Sequence, residues 1–113
     1  MKLPKAENAI IPPEKLRDYV LSFEHPIGRL KAAFFSSLGY NKEEWKTLER
    51  DLRTQHLALD VEEIIQSKYG TKYIIRGQLK GPSGISAEII SIWVVRIDEE
   101  IPRFVTAYSG RRK

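Results

Sequence analysis

Apolar positions along the chain change their period near residue 60. Before it they recur at helical spacing, and after it β-branched residues alternate with polar ones between Gly- and Pro-rich breaks. Behind Pro12-Pro13, residues 14–22 set Leu16, Tyr19 and Val20 on one helical face, closed by Phe23. A second helix is predicted over residues 26–38, with Ile27, Leu30, Phe34 and Leu38 as its buried stripe and Gly39 as its stop. Asn41 and Glu44 have capping-box spacing and open a third helix through Trp45, Leu48 and Leu52 to Gln55.

In the second half, residues 61–68 and 72–79 read as strands joined at Tyr69-Gly70-Thr71. Gly81-Pro82-Ser83-Gly84 marks a turn, residues 86–97 a long strand, and residues 103–108 a last strand beyond the acidic turn Asp98-Glu99-Glu100. The expected architecture is α+β: three N-terminal helices packed on one face of a four-stranded antiparallel sheet. Residues 1–113 are expected to form a single domain, helical over 1–56 and sheet over 61–108. Tyr73 and Ile75, with Ile90, Ile92 and Val94, are expected to face the helices and to pack with Phe34, Leu38, Leu48 and Leu52. Val105 then turns inward, and Arg76, Ser91, Trp93, Thr106 and Tyr108 converge on the open face, a basic, hydroxyl and aromatic surface of the kind that binds single-stranded RNA.

Composition narrows the chemistry. The chain has no cysteine, which removes disulfides, thiolate metal sites and a cysteine nucleophile. The run from Ile92 to Val95 is too short to span a bilayer and no signal segment opens the chain, so a soluble, membrane-free protein is expected; the lack of cysteine agrees with a cytoplasmic place and also suits a domain that must unfold and cross a membrane. A net charge of +4, part of it in the tail Arg111-Arg112-Lys113, favours an anionic partner: nucleic acid or an acidic protein. His25 and His56 lack helical pairing or a carboxylate at ligand spacing, so neither a metal nor another cofactor is expected. No nucleophile elbow, Walker loop or dinucleotide fingerprint occurs, and the Gly81 to Gly84 turn lacks the following helix that a phosphate loop needs. The pairs Glu43-Glu44 and Glu62-Glu63 suit a helix start and a solvated edge, which argues against a glycosidase.

The segment His25-Pro26-x-Gly28-Arg29-x-Lys31-Ala32-Ala33-Phe34-Phe35 remains. It sets an imidazole, a guanidinium and an ammonium at the start of a helix whose later residues read as core, and such a start favours phosphate. Each candidate also has a purely structural explanation. His25 can be a cap, Arg29 and Lys31 solvated, Trp93 core, and Thr106 and Tyr108 strand formers. Only their combination favours a site.

These blocks resemble a known group. Leu3-Pro4-x-Ala6-Glu7-x-Ala9, the His25 to Ala32 block, Tyr69-Gly70-x-Lys72-Tyr73, Gly81-Pro82-Ser83-Gly84, Trp93 and Pro102-Arg103-Phe104-Val105-Thr106-Ala107-Tyr108 resemble an uncharacterised bacterial family of small proteins, across nearly the whole chain. The family occurs free-standing, often encoded beside another small protein, and as the C-terminal domain of polymorphic toxins. The resemblance therefore implies a toxin with a small neutralising partner encoded nearby. By architecture alone it is similar to the barnase, colicin and RelE-like group of metal-independent RNases. Carried over by position, it points to His25, Arg29, Lys31, Arg103, Thr106 and Tyr108, with Trp93 as a stacking platform; Arg76 and Ser91 are added from the face assignment. Ile85 stands where the family tends to have a basic residue after the turn, and no glutamate stands out as general base.

The expected activity is RNA cleavage by attack of a ribose 2′-hydroxyl on the adjacent phosphate. His25 would transfer a proton, Lys31, Arg76 and Arg103 would hold the phosphate, Thr106 and Tyr108 would position it, and Trp93 or Tyr108 would stack a base. The alternative is a non-catalytic interaction domain whose basic face receives an acidic protein or nucleic acid.

Overall fold

The structure is a computed structural model that describes residues 1–110; the tail Arg111, Arg112 and Lys113 lies outside the described residues. Four antiparallel strands lie in sequence order: β1 Glu63–Ser67, β2 Gly70–Lys80, β3 Ser86–Arg96 and β4 Arg103–Ser109. Gly70 turns the first hairpin at φ 143°, where a Cβ would strike the Val95 carbonyl. Ile10 extends the other side, bridging Arg103 in parallel, with Phe104 N–H donating to Ile10 O and Ile10 N–H to Pro102 O.

The helical half corrects the expectation. Instead of a layer of three regular N-terminal helices, the chain builds short pieces. A 3₁₀ turn covers Ala6–Asn8; α1, Pro13–Lys15, widens at once into a π turn, Leu16–Val20; α2 covers Arg29–Ser37; and α3, Trp45–Asp51, ends in a second π turn, Leu52–His56. The overall class remains α+β. The Leu52–His56 turn packs on β2, whereas α1, α2 and the Leu16–Val20 turn pack against β4. Apolar spacing does not separate π from α turns over five residues, so the sequence reads both as continuous helix. None of the described helices is long and apolar enough to cross a membrane.

Helix α2 is rotated from its expected face. Ala32, Phe35 and Leu38 are buried, while Ile27 and Leu30 are 65% and 78% exposed. Gly28 sets this facing: a Cβ there would lie 2.0 Å from the Tyr19 carbonyl oxygen, so the helix start rests directly on the preceding backbone. Beyond the far end, Leu38 O accepts both the N–H and the hydroxyl of Ser83, at 3.1 and 2.9 Å. The Gly81 to Gly84 turn is thus docked on the end of the helical segment.

The face assignment of β3 is reversed. Ser91 and Trp93 are fully buried on the helical side with Ile75, Leu79, Ile89 and Ala107. Ile92 and Val94 are half-buried, Ile90 is buried, and all three occupy the opposite face. Six of the seven residues from Ile89 to Val95 are apolar, so alternation does not identify the inner face. His56 decides it by satisfying the one polar member. Trp93 Nε1–H donates to Ser91 Oγ at 2.9 Å, Ser91 Oγ lies 2.6 Å from His56 Nδ1, and His56 Nε2 lies 3.3 Å from Gly77 O. A neutral ring with its proton on Nε2 completes the chain. Burial, the main cause, pushes the His56 pKa down.

A register shift between Ile92 and Trp93 pairs Ile92 with Thr106 and Trp93 with Phe104, leaving Val105 as the extra residue. Phe104 and Ala107 consequently both point into the core, Phe104 edge-on to Trp93 at 5.3 Å. Thr106 and Tyr108 take the other face beside Ile92 and Ile90.

Candidate functional site

His25 caps the entry to α2. Ile27 and Gly28 N–H donate to its Nδ1 at 3.1 and 3.0 Å, and Arg29 N–H donates to its carbonyl at 3.0 Å. With Nδ1 accepting two amides, the ring proton belongs on Nε2, turned away from the cap as a donor. The ring stands edge-on to Tyr19, with centroids 4.8 Å apart at 74°.

Tyr19 is the residue that the sequence reading missed as a functional candidate, because its spacing with Leu16 and Val20 assigns it to a core stripe. It is half-buried and joins the two halves of the molecule. Lys31 Nζ lies 5.1 Å from the Tyr19 ring centroid and 6.0 Å from that of Tyr108. The Lys31 ammonium, and less strongly the Thr106 hydroxyl, pull the Tyr19 phenol below its usual pKa; burial opposes them. Thr106 Oγ1 is buried without a well-aligned hydrogen bond, although it lies near enough to act on the phenol. No sequence signal links Tyr19 to Lys31 or Thr106, since the contact depends on how Gly28 seats α2 and on the bulge in β4.

The structure thus gathers His25, Lys31 and Thr106 around Tyr19 at the β4 edge of the sheet, with Tyr108 on the far side of Lys31. It does not bring in the others. Ser91 and Trp93 are core residues, so neither lies on an open face. Arg76 is on the same face as Tyr108, but its guanidinium is occupied by Glu62 at 3.1 Å, Glu88 at 3.2 Å and the Gly110 carbonyl. Arg103 donates twice to Glu99, at 3.2 and 3.3 Å, and pairs with Val94. Arg29 is exposed on α2 and, like Lys31, makes no ion pair among the described residues. Phe23, Ile27 and Leu30 add exposed apolar surface on the residues flanking His25. The neighbouring hollow lined by Leu21, Phe23, Glu24, Ala32 and Tyr40 includes none of the cluster. Among the described residues, no group of three His, Asp or Glu side chains could hold a metal ion.

By architecture the protein is an α+β domain whose sheet edge carries a cationic, aromatic and hydroxyl cluster. The chain belongs to the DUF6883 family, a domain of unknown function, which it matches over residues 2–111. No curated protein matches it. Among solved structures, it is similar to a chain of a contact-dependent growth inhibition toxin–immunity protein complex from Klebsiella pneumoniae 342. The TM-score is 0.67 at 19% identity, over 88% of this chain and 97% of that one, which is a likeness of fold.

Proposed function

We propose that this domain is a toxin-type endoribonuclease that cleaves RNA without a metal, by attack of a 2′-hydroxyl on the adjacent phosphate. The observation that carries this reading is the meeting of His25 and Lys31 with Thr106 and Tyr108, more than seventy residues away in sequence. Such a reaction needs stabilisation of a phosphorane and two proton transfers. Lys31 supplies positive charge, His25 Nε2–H donates to a non-bridging oxygen, Tyr108 positions the phosphate, the buried Thr106 hydroxyl acts through Tyr19, and Arg29 guides the strand toward them. The fold shared with a chain of a toxin–immunity complex supports a toxin setting, with a small neutralising protein as partner. The exposed Phe23, Ile27 and Leu30 beside the cations suit the alternative, an interaction domain that receives an acidic protein there.

Purified protein incubated with RNA in EDTA separates the two. The nuclease reading expects fragments ending in 2′,3′-cyclic phosphate. His25→Asn keeps a capping side chain but removes Nε2–H, and should lower the cleavage rate by about 10²–10³-fold, the size of one lost oxyanion donor, with little change in stability. Intact RNA with wild-type protein would favour the interaction domain.

A further inference from the structure

We infer that Tyr19 is a catalytic residue of this site, its phenolate taking the 2′-hydroxyl proton while Lys31 gives a proton to the departing 5′-oxygen. This rests on the nuclease reading and supplies the proton transfers it leaves unassigned. Tyr19 meets three members of the cluster, His25 at its edge, Lys31 over its face and the Thr106 hydroxyl close by, and reaches the fourth, Tyr108, through Lys31. The other candidate base is engaged, because His25 Nδ1 accepts two backbone amides. The charges that act on Tyr19 are those of Lys31 and Lys15, with no carboxylate among them. An ammonium beside a phenol favours the phenolate, so the pair holds both a base and an acid next to one another.

The step balances. The 2′-oxygen–phosphorus bond forms as Tyr19 takes the proton, the phosphorus–5′-oxygen bond breaks as Lys31 gives one, and the products are a 2′,3′-cyclic phosphate and a 5′-hydroxyl. Transfer of the proton from Tyr19 to Lys31, directly or through water, restores the pair.

Tyr19→Phe keeps the ring that packs on His25 and Lys31 and removes only the hydroxyl. It should lower kcat by about 10²–10⁴-fold while KM for RNA stays near wild type. Because the base is active as phenolate, the wild-type rate should rise with pH toward the Tyr19 pKa. Difluorotyrosine at position 19, a more acidic phenol, should move that rise to lower pH, which a packing role would not do. A readout independent of cleavage is the titration of Tyr19 labelled with ¹³C at Cζ: Lys31→Met should move its midpoint upward. Wild type that cuts RNA while Tyr19→Phe cuts equally well would overturn this role and leave the nuclease standing. So would an unmoved profile or an unmoved titration. Wild type that leaves RNA intact would overturn the nuclease and this role together.

Discussion

At the residue scale, the two histidines show how one side-chain type serves opposite ends. His25 lies at the surface with one nitrogen spent on a cap and the other free. His56 is sealed in the core, each nitrogen matched by Ser91 or Gly77. Its pH consequence follows by linkage. The folded pKa lies below the ordinary 6.5, so as pH falls through about 6.5 the unfolded chain takes up a proton that the folded chain refuses, and stability is lost. The stabilising contribution is therefore fully present above that range. Urea unfolding followed from pH 7.5 to 5.5 should show a falling midpoint, His56 adding a slope of at most about 1.4 kcal/mol per pH unit. His56→Gln should be less stable at pH 7.5 and flatter across this window; an equally steep loss would place the titrating group elsewhere. The sequence shows His56 only as a lone histidine near a helix end. Its partner Ser91 reads as solvent-facing, because a hydroxyl within an apolar strand is the usual mark of an outer face, and only the satisfied hydrogen bonds reverse that.

At the element scale, the sheet was legible and the helical half less so, for a physical reason. Strand ends are marked by residues with restricted geometry, such as Gly70 and the Gly81 to Gly84 turn, and antiparallel hairpins follow from short connections. Helix facing in α2 depends on a contact distant in sequence. Leu30 and Ile27 outweigh Ala32 in hydrophobicity, yet close approach at Gly28 turns Ala32 and Phe35 inward. The Asn41–Glu44 pairing was readable, Asn41 Oδ1 accepting Glu44 N–H at 2.8 Å, but it closes a turn ahead of α3, whose N-cap is Glu44 with no side-chain cap bond. The candidate site was half readable, since the His25 block and the Thr106-x-Tyr108 pair each stand out, while Tyr19 and the true positions of Ser91 and Trp93 do not. Gly28→Ala tests this account. The Tyr19 carbonyl is backbone and cannot swing aside, so α2 must lift from the π turn, at a cost of about 1–3 kcal/mol as in other overpacked sites. Cleavage should fall further than stability alone explains, because the shift parts Tyr19 from His25 and Lys31. Wild-type stability in a thermal melt of Gly28→Ala would show that the contact is loose.

At the scale of the whole molecule, the modest net charge of +4 conceals where positive charge is available. Lys2, Lys5, Arg17, Arg50, Arg53, Arg76 and Arg103 all pair with carboxylates. Arg29 and Lys31 make no ion pair among the described residues, and neither do Lys15, Lys42, Lys46, Lys68, Lys72, Lys80 and Arg96; of these, Arg29 and Lys31 lie at the start of α2 beside the cluster. A cation already neutralised by protein carboxylates gives up little counterion atmosphere to RNA, whereas an unpaired one replaces a condensed cation on each phosphate it meets. Binding of an uncleavable 2′-O-methyl RNA should therefore weaken with salt in a way that depends on position and not on the number of basic residues. Lys31→Met and Arg29→Gln should each reduce the slope of log affinity against log salt by about 0.7, the contribution of one single-strand phosphate contact. Arg76→Gln removes the same formal charge but should leave the slope unchanged, its effect confined to the link among Glu62, Glu88 and Gly110. Equal reductions for Arg76 and Lys31 would mean that RNA spreads over the whole β4–β2 face, and that the focus at the start of α2 is wrong.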